Sequence, residues 1–468
     1  MAISQDVLSL TGNDQYYRWN VAAPLGTPVV VTYSFATEQA SYDTENRSGF
    51  TPFSDAHKVH VRTALDTWAA TSGISFVEVD AQTGGQISFA MTDMSGQTTS
   101  TGTTQQGYAY YPHILISNGN KDIYYNQLGG DVFLHTGSYA GNAQSIAPGN
   151  NGFSLLLHEI GHAMGFKHPF SGEPTIQDSH DHSDYTVLSY NRNYSSAELG
   201  SVDKEAMALV YGAQGYSVSF DSNTKQLTQT GTGNGEWLVG QELDDILKGE
   251  GGNDTLHGSD GNDQLFGGDG NDRMIGGKGD DHYYGGAGVD TVEYTRNYTS
   301  SRVEKQDDGS YLVNDNAGGG NDILREVERI DFKDQNLAYD IDGNAGQAYR
   351  IYKAAFDRTP DSGGLGYWID AIDSGQTLET VAAKFIDSAE FKSLYGDNPS
   401  DEDFLTALYR NVLDRGPDND GYQWWLNELS SGNRTRDAVL AGFSESTENK
   451  ENVISLIGNG ILYDEWVG

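Results

Sequence analysis

Residues 158–168 read HEIGHAMGFKH, with three histidines at offsets of 0, 4 and 10. On a helix, residues four apart lie one turn up and about 40° around the axis. His158 and His162 would then project from one face, placed to grip one metal ion. Glu159 points to the side, within reach of a water on that metal rather than of the metal itself. Gly165 comes three residues after His162. Glycine takes positive φ, ends a helix and turns the chain sharply. Such a turn swings His168 back as a third ligand. Three neutral imidazoles around a divalent ion leave one position open for water, the layout of catalytic zinc. A purely structural metal site would need neither Glu159 nor the open position.

Several elements must position this set. VVVTYSF (29–35), ISFVEV (74–79), QISFAM (86–91) and DVFL (131–134) read as strands. Ser54 is placed to cap a helix whose apolar face is Val61, Ala64, Leu65 and Trp68. The motif helix should run from about 151 to 164, and helical order should resume around 203–211. Asp203 and Glu205 are read there only as acids at a helix N-terminus. HDHSD (180–184) reads as a polar loop, and His113 and His135 as ordinary packed or surface histidines.

Residues 240–293 repeat with a period of nine. The turns begin at Gly240, Gly249, Gly258, Gly267, Gly276 and Gly285. Aspartate recurs at the sixth position, as Asp245, Asp254, Asp263, Asp272, Asp281 and Asp290. An apolar or aromatic residue recurs at the eighth, as Leu247, Leu256, Leu265, Met274, Tyr283 and Val292. This is the nonapeptide pattern of a parallel β-roll that binds calcium. The carboxylates and nearby carbonyls offer hard oxygen ligands. Gly252, Gly261, Gly268, Gly270, Gly277, Gly279, Gly286 and Gly288 supply the turns and join the expected calcium sites. The segment holds 13 acidic and 3 basic side chains, so it should be disordered without calcium.

A second duplication, shifted by 57, occupies residues 345–468: FDRTPDSGGLGYW (356–368) matches LDRGPDNDGYQWW (413–425). Helix-type patterns such as 378–395 lie between the copies. Trp368, Trp424 and Trp425 are expected in a core, with binding of a surface glycan or a partner protein as the functional alternative.

The chain has 468 residues, no cysteine and a net charge of −39. Disulfides and cysteine-ligated zinc are excluded, and nucleic acid is an unsuitable partner. No apolar run approaches the roughly 18 residues of a membrane span. No cleavable signal peptide or clear propeptide is visible at the N-terminus.

HExxHxxGxxH is the metzincin signature. With Pro169, the turn YTVLSY (185–190), LVYG (209–212) and the nonapeptides behind, residues 15–295 resemble the serralysin family. That resemblance implies one zinc on His158, His162 and His168. It makes Glu159 the base that deprotonates the metal-bound water, and Tyr190 a resting zinc ligand that swings out to stabilise the oxyanion. It places the substrate-pairing edge strand near GYAYY (107–111). Leu188 stands where the family has methionine, nearly conserving volume. RTX proteins resemble one another in type I secretion through an uncleaved C-terminal signal, for which ILYDEWVG (461–468) has a plausible composition. The C-terminal duplication resembles a domain of unknown function in bacterial extracellular proteins.

The expected architecture is multidomain: an α/β metzincin catalytic domain (1–218), a parallel β-roll with flanking strands (219–344) and a small all-α accessory domain (345–468). The expected function is a secreted zinc endopeptidase with several structural calcium ions and a protein or peptide substrate. A cell-surface or matrix partner would dock through 345–468. The rival is a calcium-dependent surface adhesin or layer-associated scaffold with an inert protease fold.

Overall fold

The computed structural model describes residues 4–11, 18–21, 23–40, 49–99, 103–112, 114–117, 122–125, 129–172, 174–191, 197–213, 215–315 and 320–466. His113 lies outside them. Contacts divide the chain into Met1–Tyr283 and Tyr284–Gly468.

The first unit opens with helix α1 (Gln5–Thr11). Then come β1 (Val29–Phe35), α2 (Asp55–Ala69), β2 (Ile74–Glu78), β3 (Ile87–Thr92) and β4 (Gly107–Ala109). A hairpin β5 (Ile114–Ser117) and β6 (Asp122–Tyr125) precedes β7 (Val132–His135), short helix α3 (Thr136–Tyr139), α4 (Asn151–Ala163) and α5 (Ser201–Tyr211). The sheet order is β2-β1-β3-β7-β4. All pairs are parallel except β4 on β7, which puts β4 at the edge. Ser54 caps α2 by accepting from the His57 amide, and Val61, Ala64, Leu65 and Trp68 are buried as the spacing requires. They pack on Phe153, Leu156, Leu157 and Ile160 of α4 in one core.

An antiparallel hairpin, β8 (Ser217–Asp221) and β9 (Gln226–Thr230), leads into the repeat. The repeat strands are β10 (Trp237–Val239), β11 (Ile246–Gly251), β12 (Thr255–Asp260), β13 (Gln264–Asp269) and β14 (Arg273–Lys278). Parallel pairs join β10 to β12 to β14 on one face and β9 to β11 to β13 on the other. Register partners within the repeat, such as Leu247 with Leu265 and Leu256 with Met274, are two nine-residue turns apart. Leu247, Leu256, Leu265, Met274 and Tyr283 are each 0% exposed, so the eighth position builds the thin core between the sheets. A Cβ on Gly270 (φ 135°) would stand 1.7 Å from the Gly252 carbonyl oxygen, so coils stack this closely only through glycine.

The second unit holds Val292 and Asp290, both 0% exposed, and a strand meander of Ser301–Lys305, Tyr311–Asp315 and Asn321–Arg325. Eight helices come next: α6 (Asn344–Phe356), α7 (Ser362–Asp373), α8 (Leu378–Asp387), α9 (Ala389–Tyr395), α10 (Asp401–Leu413), α11 (Asn419–Ser430), α12 (Arg436–Ser444) and α13 (Thr447–Ile457). They form two four-helix copies. Segment 378–395 is two helices because Ser388 takes extended angles and caps the second by accepting from the Phe391 amide.

The duplicated motif has one architecture in both copies. Asp357 and Asp414 close their helices with φ 47° and 52°. Asp361 and Asp418 cap the next helix, each accepting from a glycine amide at 2.7 Å. Arg358 forks onto Glu390 and Arg415 onto Glu448 at 2.7 and 2.6 Å. Trp368 packs edge-on to Phe385 and Trp425 packs on Phe443. Trp424 is 48% exposed, which corrects its assignment to the core. Its counterpart Tyr367 is met instead by Trp466, with ring centroids 5.0 Å apart.

Candidate metal centre

Helix α4 carries His158 and His162 on its buried face, and its turn C-terminal to Met164 carries His168. Gly165 has φ 93°, its amide donates to the His162 carbonyl at 2.8 Å, and Phe166 N donates to Gly161 O. That closure turns the chain back toward the helix. The helix end is satisfied by side chains: Trp19 Nε1 donates to Ala163 O at 2.9 Å and Tyr211 OH to Met164 O at 2.7 Å.

The three histidines converge. Their Nε2 atoms lie 3.2, 3.2 and 3.0 Å from one another. Three nitrogens about 2.0–2.1 Å from one tetrahedral ion would be spaced by roughly 3.3 Å, so this donor set fits zinc. Among the described residues this is the one group of three or more such side chains gathered closely enough to hold a metal. The other ring nitrogens are fixed by backbone: His158 Nδ1 to Val187 O at 2.8 Å and His162 Nδ1 to Phe166 O at 2.7 Å. A ring whose Nδ1 donates to a carbonyl presents Nε2 as a lone pair, the form a metal needs.

Glu159 is 4% exposed. A Cβ on Gly107 would stand 3.1 Å from its Oε1, so the carboxylate lies against edge strand β4. Tyr190 is 56% exposed, its ring 4.7 Å from that of His168 and 5.9 Å from that of His158. Leu188 is fully buried under Gly161 of α4.

Sequence reading missed three residues here. Asp203 is 0% exposed. It accepts from Thr186 Oγ1 at 2.6 Å, Val187 N at 2.8 Å and Gly200 N at 2.9 Å, and burial pushes its carboxyl up to about 6. It therefore braces the turn whose Val187 carbonyl holds His158, besides starting α5. Tyr111 sets its ring edge-on to His162 at 5.6 Å. Phe170 stacks on His168 at 5.2 Å and 10°, yet is 39% exposed. An apolar residue in the polar stretch HPFSGEP was the available signal. Two other histidines have partners of their own. His180 pairs with Asp6 at 2.5 Å, and His135 Nδ1 accepts from Met94 N at 3.0 Å.

In the repeat, Asp245, Asp254, Asp263, Asp272 and Asp281 are each 2% exposed or less. One oxygen of Asp263, Asp272 and Asp281 accepts from the amide of Asp245, Asp254 and Asp263, one coil back. Asp245 Oδ1, Asp254 Oδ2 and Asp263 Oδ2 are buried with no hydrogen-bond partner. Desolvation pushes the Asp263 carboxyl up to about 9 and Asp254 to about 6, and raises Asp245 and Asp272 as well. Buried carboxylate oxygens left without donors are what a hard cation would neutralise.

Comparison with known proteins finds matches over both regions. Residues 34–212 match the Matrixin family, residues 230–265 and 257–292 the RTX calcium-binding nonapeptide repeat, and residues 382–453 a domain of unknown function, DUF4214. The first of these is a metallopeptidase class, which implies zinc, and the second implies calcium. Serralysin of Proteus mirabilis is 30% identical over 247 residues, covering 47% of this chain and 49% of that protein. Metallopeptidase AprA of Pseudomonas marginalis is 27% identical over 239 residues, covering 45% and 46%. Serralysin A of Dickeya chrysanthemi is 28% identical over 247 residues, covering 47% and 48%. The chain spans about half the length of the curated relatives it matches. The matrixin match, the RTX repeats directly behind it and these relatives make this part of the chain similar to the serralysins.

Proposed function

We propose that this chain is a zinc-dependent endopeptidase that hydrolyses protein substrates outside the cell, stabilised by calcium in its repeat. The observation that carries the reading is the convergence of three imidazoles, two of them oriented by backbone carbonyls, beside a buried glutamate at the edge strand of the sheet. His158, His162 and His168 would hold zinc, which when bound supplies a Lewis acid that makes water nucleophilic at neutral pH. Glu159 would take the proton of the attacking water and pass it to the leaving amine. Tyr190, beside the cluster and half exposed, would donate from its hydroxyl to the developing oxyanion. A peptide added to the free edge of β4 would be held by main-chain hydrogen bonds with its carbonyl over the cluster. The sixth-position aspartates, Asp245 to Asp290, would ligate calcium together with carbonyls of the intervening glycine turns. Export by a type I route, and a division into 1–218, 219–344 and 345–468, belong to the same reading.

The test is casein cleavage by the purified chain in millimolar calcium, beside Glu159→Ala prepared in parallel. Activity lost in the variant and on chelation is expected. A folded, zinc-loaded wild type that cleaves neither casein nor a broad peptide library would overturn the reading.

A further inference from the structure

Phe170 is a large apolar side chain left 39% exposed beside the histidine cluster. Its position is fixed from two sides. It stacks on His168 at 5.2 Å, and its ring lies 4.8 Å from that of Tyr190. On another ligand, Tyr111 stands edge-on to His162 at 5.6 Å. Tyr111 lies two residues beyond edge strand β4. The cluster is thus rimmed by aromatic rings, and Phe170 is the one with no hydroxyl.

A scissile carbonyl must reach the point where the three Nε2 atoms converge. Consecutive Cα atoms are about 3.8 Å apart, so the side chains flanking that carbonyl fall within reach of whatever rims the point. Resting on the peptidase reading above, we propose that Phe170 is a specificity-determining residue. It forms an apolar wall that takes a phenylalanine, tyrosine or leucine side chain next to the scissile bond. Ring-on-ring contact rewards an aromatic partner beyond the area it buries. A glycine in the same place leaves the Phe170 face in water, and an acidic side chain is desolvated against a ring with no donor to offer.

Binding to an inactive chain tests this independently of turnover. Zinc-loaded, calcium-loaded Glu159→Ala would be titrated with matched peptides carrying phenylalanine or glycine on either side of the central bond in turn. The same series is run on Glu159→Ala/Phe170→Gly and on Glu159→Ala/Phe170→Leu. The phenylalanine peptide is expected to bind about tenfold tighter than the glycine peptide at one of the two positions. Phe170→Gly should abolish that ratio and Phe170→Leu should keep most of it, with bound zinc at one per chain in all three. A ratio unchanged in Phe170→Gly, or equal binding of both peptides to the parent, overturns the proposal. Absence of casein cleavage by wild type would count against the peptidase reading alone and leave the binding ratio as it stands.

Discussion

The histidine cluster and the aspartate ladder both gather donors that suit cations, and they do so in opposite ways. In and just after α4 the donors are imidazoles, a ligand type that is uncharged when it binds a metal, and every residue from Gly152 to Ala163 is buried. The Nδ1 atoms of His158 and His162 are tied to carbonyls, so the cage exists as a packed part of the core. In the repeat the donors are carboxylates buried around a core one side chain thick, with oxygens that find no donor. Neutral ligands can be stored in a folded interior at little cost. Charged ligands cannot, so a fold that buries them is expected to depend on the ion.

The largest expected break in this comparison is between the two metals. Removing calcium at pH 8 should erase the strand signal of the repeat in circular dichroism. Removing zinc with calcium kept at millimolar level should leave the spectrum unchanged. Equal loss in both cases would sink the contrast.

Next comes Asp203→Ala, which orphans the Thr186 hydroxyl and the amides of Val187 and Gly200. A loss of about 3 kcal/mol is expected by denaturant titration, since each buried unpaired donor costs about 1–3 kcal/mol. Zinc affinity should fall about 10–100-fold, because the bracing of His158 is lost. Unaltered zinc affinity would show that the turn needs no brace.

A smaller effect is that of pH on the calcium-free repeat. A carboxyl whose folded value lies above its unfolded one binds its proton more tightly in the fold. Stability of the ion-free repeat should then fall as pH rises from about 4, the unfolded aspartate value, toward the raised values of Asp254 and Asp263. Strand signal in chelator should accordingly be stronger at pH 5 than at pH 8, while calcium affinity runs the other way. The smallest effect is Leu188→Met, expected to change stability by less than about 1.5 kcal/mol and leave activity intact, because it conserves volume under Gly161.

The parts legible in the sequence are those fixed by local spacing. Offsets of four and ten around Gly165 are enough to bring His158, His162 and His168 together. A period of nine is enough to bury Leu247, Leu256, Leu265, Met274 and Tyr283. Ser54 and the apolar face of α2 read correctly for the same reason. The features that escaped depend on distant partners. Asp203 looked like a helix-start acid because the turn it braces lies 16 and 17 residues upstream. Trp424 and Trp425 are neighbours in sequence, and only packing separates the exposed ring from the one against Phe443. Ser388 interrupts an unbroken apolar rhythm by a capping bond that periodicity does not register.

The coil length of the repeat has a consequence for how such a segment can grow or shrink. Partners sit 18 residues apart, and alternate turns feed alternate sheets. Inserting 18 residues adds one strand to each sheet and moves the downstream chain by about 4.8 Å along the stack. Inserting nine between Asp245 and Asp263 changes the parity: every later strand would have to cross to the opposite sheet, and Asp263 could no longer reach the amide of Asp245. Length in this segment is therefore counted in pairs of turns, and odd-numbered insertions or deletions should be the ones that fail to fold.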